Sequence, residues 1–418
     1  MSAPAAGEVD PHLHRLPDGT VKQINPFTGT QVWTVPGRGN RPLTNQAAPH
    51  QRLDPARAER HCAFCPERMN ETPPERIRRI RTDDGWRDLR NVPAGQLGTT
   101  QAEFRVIPNL FEIVSLRYWY ENHGYELPEA ELARRRAYLA DPQGRAHVLG
   151  LVGAHRPADL LTAGDEAIVA DSIFGGFHDV IVARRHHVDG ATCDDELASA
   201  STLSADEHEQ YVDFTLAGIR DLFAANERIV NVVAFQNWLR PAGASFDHLH
   251  KQLVGLDELG RWRSDEVVAL RADPDLFTRY GLDFAERNGL VVASAEHAVA
   301  FAGFGHRYPT LEVWTRRLDA DPWNLTPEEL ADVSALLHAC HAAGGPGVPC
   351  NEEWHYRPPS VAQPMPLRVL LKWRISTPAG FEGGSRIYVN TIDPWTLADR
   401  ARATLATADG LSARVHLA

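Results

Sequence analysis

The sequence predicts an α+β fold made of two successive units, and three observations lead there. At 418 residues the chain exceeds what one ordinary hydrophobic core supports, so two domains or a duplicated fold are expected. Short runs that alternate apolar and polar residues mark strands, while two long stretches carry helical periodicity. The order strand, helix, strand, turn, strand occurs once before residue 258 and again, more weakly, from Leu259 onward.

Residues 1–21 are rich in Pro, Gly and Ala without periodicity and read as a loose tail. From Lys22, the run NPFTGTQVWTVPGRGNRP places a strand at 31–35 and an arginine-bearing return loop. A Cys-x-x-Cys turn follows at Cys62 and Cys65, then strands at 103–107 and 112–116. Residues 117–165, with ELPEAELARRRAYLAD and PADLLTAG, are helical in pattern and read as an insertion between strand regions. HDVIVARR at 178–185 is a buried strand, and LSADEHEQYVDFTLAGIRDLFAANE is an amphipathic helix opened by the capping pair Ser204 and Glu207. A strand from Ile229, a turn centred on Gly243 and a strand over FDHLHKQLVGL complete the first unit. In the second, HAVAFAGFG and TLEVWTRR are strands, a helix opens at Thr326, and LRVLLKWRI and RIYVNT are later strands.

Composition narrows the function classes. Lys and Arg number 43 against 55 Asp and Glu, a formal net charge of -12 with no long basic run, which disfavours a nucleic-acid partner. A phosphate substrate would then be held by local arginines and backbone amides against a repelling overall field. No apolar run reaches the roughly eighteen residues that a membrane span needs, and no basic-then-apolar leader opens the sequence, so a cytoplasmic location is expected. Five cysteines, of which only Cys62 and Cys65 are close, make a poor disulfide framework and suggest thiols kept for a metal.

The densest chemical signal is AGASFDHLHKQ at 242–252. An extended backbone there puts His248, His250 and Gln252 on one face. Two imidazoles and an amide side by side serve either a reactive site or an ordinary polar sheet face.

His-x-His-x-Gln resembles the signature of the histidine-triad superfamily, in its galactose-1-phosphate uridylyltransferase-like branch. Four further stretches are similar to that branch in the same order: 25–42, HCAFCPERMNETPPE at 61–75, FRVIPNLFEIV at 104–114 and FQNWLRPAGAS at 235–245. The likeness spans most of 22–400. It implies two tandem HIT-like domains, each an antiparallel half-barrel with packed helices: 22–258, catalytic and carrying the metal, and 259–418.

The resemblance makes His250 the nucleophile, attacking the α-phosphorus of a nucleotide ester and carrying a nucleotidyl group until an acceptor arrives. It makes Gln252 and Ser245 the donors that steady the phosphates, helped by Asn237 and Gly243. Gln252 stands where the hydrolytic branch has a third histidine, which favours transfer over hydrolysis. Arg38 and Arg41 match phosphate-binding arginines, although loop arginines are equally at home in solvent. Asn109 matches a nucleoside contact, followed here by Leu110 where many relatives have Asp. Phe381 and Glu382 in AGFEGG match a sugar-phosphate segment, while Lys372 and Arg374 either hold an acceptor phosphate or face water. One structural Zn2+ is implied, held by Cys62, Cys65, His248 and His187, with His186 as the register alternative and His61 a competitor. A second metal is not expected, since only His355 of its ligand set has a counterpart and LLKWRIS offers Leu371 and Trp373 instead of histidines.

The expected function is thus a nucleotidyltransferase moving a nucleoside monophosphate between sugar phosphates, with UDP-hexose the family default. A nucleotide-sugar or dinucleotide phosphorylase using inorganic phosphate is the neighbouring alternative. From another class comes a non-catalytic, zinc-stabilised nucleotide-binding scaffold. The implied partners are a nucleotide sugar and a sugar phosphate or phosphate, with a homodimer possible in this family.

Overall fold

The computed structural model describes residues 10–38, 50–54, 59–154 and 173–418. In chain order the strands are β1 (Leu13–Arg15), β2 (Val21–Ile24), β3 (Gln31–Thr34), β4 (Ile77–Thr82), β5 (Gly85–Arg90), β6 (Phe104–Pro108), β7 (His178–Ala183), β8 (Asn231–Trp238), β9 (His250–Leu256), β10 (Val291–Ser294), β11 (Ala298–Gly303), β12 (Thr310–Thr315), β13 (Cys350–His355), β14 (Arg368–Trp373), β15 (Ile387–Asn390) and β16 (His416–Leu417). The helices are α1 (Leu116–His123), α2 (Glu129–Ala140), α3 (Pro142–Ala154), α4 (Ala205–Ala225), α5 (Arg261–Ala272), α6 (Leu276–Tyr280), α7 (Leu282–Arg287), α8 (Pro327–Gly344), α9 (Gly380–Ser385) and α10 (Pro394–Leu405).

Twelve strands form one sheet in the order β16-β10-β11-β12-β14-β13-β8-β9-β7-β6-β4-β5, with every pairing antiparallel. Read outward from the β8–β13 seam, the two sides match element for element. β9, β7, β6 and β4 answer β14, β12, β11 and β10. The long helices α4 and α8 pack together on one face. Each opens with a complete capping box, Ser204 with Glu207 and Thr326 with Glu329, which satisfies backbone N–H groups that the first turn would otherwise leave free. The core beneath them is continuous: Phe104, Ile181 and Leu253 from one side join Leu311, Leu336 and Val369 from the other. Two separate cores were the expectation; burying the seam under both helices merges them.

The fold departs from the sequence reading in four places. Residues 112–116 are not a strand. The Ser115 hydroxyl caps Tyr118 N at 3.3 Å and α1 starts at Leu116, so the helix-capping signal outweighs the alternation. The tail expected over 1–21 contains β1, paired to β2, although residues 1–9 lie outside the described residues. The β4–β5 hairpin has no counterpart in the sequence reading; its Arg78 and Arg79 are buried and ion-paired to Glu75, Asp88 and Asp213. Finally, the N-terminal strands join the second unit. β3 pairs in parallel with β15, and Leu13, Val21 and Phe27 pack with Phe277, Phe301 and Trp314 on the other sheet face. The 117–165 stretch is helical as far as Ala154, and PADLLTAG lies outside the described residues. Among the described residues no helix is long and apolar enough to cross a membrane.

Candidate active site and metal centre

β9 begins at His250 rather than Phe246, so His248 stands just ahead of the strand. The alternation starts one histidine later and turns His250 and Gln252 to the open face of the sheet, opposite Val182 and Val180 of β7. Lys251 is thereby forced to the helix-covered face. It is fully buried there, 2.7 Å from Glu352 Oε1 of β13.

The His250 ring is almost fully buried, and its Nδ1 donates to the carbonyl of His248 at 2.7 Å. That bond fixes the tautomer, leaving the Nε2 lone pair as the free end of the ring. Burial depresses its pKa to about 4, so the imidazole is neutral and nucleophilic at neutral pH. Phe64 packs 5.2 Å from the ring and onto Ile107, Val180 and Val182, closing one side of the site with apolar surface.

His248 instead belongs to a four-group cluster with Cys62, Cys65 and His186. The six separations are 3.9 Å between the sulfurs, 3.3 Å between the two Nδ1 atoms, and 3.4, 3.4, 3.6 and 3.9 Å for the mixed pairs. Bond lengths of about 2.3 Å to sulfur and about 2.0 Å to nitrogen in a tetrahedron require edges of roughly 3.3 to 3.8 Å, so the donor set fits one closed site. The Nε2 of His248 donates to Ala183 O at 2.7 Å, which leaves Nδ1 for an ion and aims the ring. The hydrogen bond between the thiols pushes Cys62 up and holds Cys65 down, a standoff that a bound cation would resolve by taking both thiolates. The sequence reading preferred His187. The structure brings in His186, because β7 ends at Ala183 and the chain then turns, and His187 meets the His61 ring edge-to-face instead. His61 is not a member of the cluster.

Gln252 sits in a network that the sequence did not reveal. Its Oε1 lies 3.0 Å from His178 Nε2 and 3.5 Å from Asn109 Nδ2. His178 is the first residue of β7 and is nearly fully buried. Nothing in HDVIVARR marks it as more than a strand terminus; only the register Val180↔Gln252 brings it there.

Beside Gln252, its cross-strand partner Phe235 opens a cavity of about 590 Å3 lined also by Asn237, Asn351, Glu353, His355 and Arg374. Asn351 donates to Asn237 Oδ1 at 2.7 Å and accepts from Arg374 at 2.6 Å. Gly243 closes the turn before β9 with φ +92, a conformation that favours glycine, and Ser245 stands exposed after it. Lys372 pairs with Glu353 at 2.5 Å, and Leu371 and Trp373 face the helix side in the main core. Arg38 is exposed and Arg41 lies outside the described residues. Phe381 is exposed, and Glu382 caps α9 by accepting from Ala379 N at 2.8 Å.

A family model described as a domain of unknown function (DUF4921) matches residues 16–414. No curated protein matches the sequence. Among solved structures, an ADP-glucose phosphorylase from Arabidopsis thaliana with bound ADP-glucose is 19% identical, with a TM-score of 0.59 over 92% of this chain and 98% of that one. A GalT-like protein from Arabidopsis thaliana is 18% identical, with a TM-score of 0.57 over the same shares of 92% and 98%. The likeness to the galactose-1-phosphate uridylyltransferase-like branch therefore holds at the level of the fold, across nearly the whole of each chain.

Proposed function

The chain belongs to the family described as a domain of unknown function, DUF4921, and we propose that it is a nucleotidyltransferase working through a nucleotidyl-histidine on His250. In this reading His250 Nε2 attacks the α-phosphorus of a nucleotide sugar. The N–P bond forms as the bond to the bridging oxygen breaks, and the sugar phosphate leaves with that electron pair. Positive charge gathers on the imidazole, and Nδ1–H passes part of it to the His248 carbonyl. An acceptor phosphate oxygen then attacks the same phosphorus and releases the ring. Gln252 donates to the non-bridging oxygens, Ser245 and Asn237 grip the phosphates from the turn and β8, and Gly243 lets the backbone approach. Arg38, Arg41, Phe381 and Glu382 contribute to substrate binding, and Asn109 to the nucleoside end.

Cys62, Cys65, His186 and His248 would hold one Zn2+, which supplies no reacting atom and ties the segment entering β9 to β7. The catalytic unit is 22–258 and the second HIT-like unit 259–418, with the N-terminal strands lent across to the second.

The observation that carries the reading is the His250 Nδ1 bond to the His248 carbonyl, which frees one ring nitrogen beside a neutral amide. Intact mass after mixing with UDP-glucose or ADP-glucose tests it: a nucleotidyl adduct is expected on the wild type and none on His250→Ala. No adduct with either sugar nucleotide overturns it. Adding hexose 1-phosphate or inorganic phosphate to the adduct separates transferase from phosphorylase. The phosphorylase stays as the second reading because a structure of the same fold is an ADP-glucose phosphorylase.

A further inference from the structure

The geometry points to His178 as a positioning residue that sets which end of the Gln252 amide faces the substrate, an inference that rests on the nucleotidyl-transfer reading above. The two ends of a glutamine amide have almost the same shape and opposite chemistry. Only the NH2 end can donate to phosphate oxygens. A flipped amide would offer them a carbonyl oxygen and repel them.

Two backbone N–H donors, those of Ile113 and Phe111, select the arrangement. The backbone N–H of Ile113 donates to His178 Nδ1 at 3.1 Å, so Nδ1 carries no proton and the neutral ring carries it on Nε2. Asn109 is fixed separately: its Oδ1 accepts from Phe111 N at 2.8 Å, which turns its NH2 toward His178 and Gln252. Two donors, His178 Nε2–H and Asn109 Nδ2–H, themselves 3.0 Å apart, thus face one atom of Gln252, at 3.0 and 3.5 Å. A carbonyl oxygen there accepts from both, whereas an NH2 would set a third donor against two that already lie side by side. The Gln252 NH2 is then turned away from β7.

The arrangement is braced at both ends. Asn109 N donates to His178 O at 2.8 Å, and the Glu112 carboxylate accepts from Gly176 N and Leu116 N, which holds the turn supplying the Ile113 N–H. The sequence reading assigned 112–116 to a strand. Its departure from that pattern is what brings the Ile113 N–H to the ring.

The test compares His178→Phe, which removes the donor, with His178→Gln, whose terminal amide nitrogen falls near the place of Nε2. With UDP-glucose or ADP-glucose, whichever labels the wild type, His178→Phe should slow adduct formation about a hundredfold, the scale of losing one oriented donor, with KM changed far less. His178→Gln should recover part of that loss. The discriminating readout is the rate ratio between the two α-phosphorothioate diastereomers of the sugar nucleotide. It should fall toward unity equally in His178→Phe and Gln252→Ala, and no further in the double variant. A ratio unchanged in His178→Phe, or losses that multiply in the double variant, overturns the assignment.

If the wild type forms no adduct, the functional reading fails and the positioning claim is still decided by 15N chemical shifts of the His178 ring. A proton on Nε2, hydrogen-bonded and lost from protection in Gln252→Ala, supports it. A proton on Nδ1 overturns it. The same spectrum decides the question should His178→Phe fail to fold.

Discussion

β9 and β14 hold matching places on either side of the β8–β13 seam, yet they present opposite chemistry to the same open face. β9 offers a neutral imidazole with one nitrogen free and an amide whose oxygen is already taken. β14 offers Arg368 and Lys372, both consumed: Arg368 pairs with Glu266 at 2.5 Å, Glu266 also takes Arg263 at 2.6 Å, and Lys372 pairs with Glu353. The difference separates reactivity from cohesion within one architecture. In the proposed chemistry a group that reacts is neutral and keeps a coordination position open, whereas a group that holds is charged and ion-paired.

The sharpest break of this contrast is His250→Ala. Removing a nucleophile costs on the order of a millionfold where measured, so adduct should vanish by mass while the thermal midpoint hardly moves. Next comes Cys62→Ser. Metal analysis should find one ion per wild-type chain and little in the variant, and removing the ion with a chelator should lower the midpoint and the adduct rate together.

On the opposite side of the seam the effect falls on stability. Charge on Arg368 and Arg263 outweighs burial and holds Glu266 at about 2, below its ordinary value of 4.5. A depressed carboxylate contributes stability above its unfolded pKa and loses it as pH falls, here between about 4.5 and 2. Thermal midpoints across that window should fall more steeply for the wild type than for Glu266→Gln. At pH 7 the variant should lose about 3–5 kcal/mol while keeping adduct chemistry on His250.

Lys251→Met should be milder once balanced. Alone it strands the buried Glu352, which also accepts from His341 and Trp354. The double variant Lys251→Met with Glu352→Met should restore most of the midpoint in thermal melts. The smallest effect is expected for Arg38→Ala, an exposed side chain, which should raise KM severalfold at most, by about 1 kcal/mol or less.

Much of this was legible in the sequence where local physics decides. The capping boxes at Ser204 and Thr326, the strand at His178 and the Cys-x-x-Cys turn depend on neighbours in the chain, and each stands where the pattern put it. What the sequence hid depends on partners far along it. The hairpin at Ile77–Arg90 buries Arg79 against Asp213, a partner more than a hundred residues away. β13 reads NEEWH, polar enough for a loop, until Lys251 neutralises the buried Glu352. The choice between His186 and His187 turns on where β7 stops, a matter of one residue that periodicity does not resolve. His178 was invisible as a site residue since its role exists only through the register with Gln252.

The parallel pairing of β3 with β15 ties residues 31–34 to residues 387–390. β3 must wait for residues 387–390 before its second edge is satisfied. Thr28, which lines the cavity beside β9, lies between β2 and β3 and is braced by that late pairing. An excised 22–258 fragment would bare Phe27, which packs on Phe277 and Trp314, and leave β3 without β15, so residues 22–258 depend on those after 258 for a closed surface.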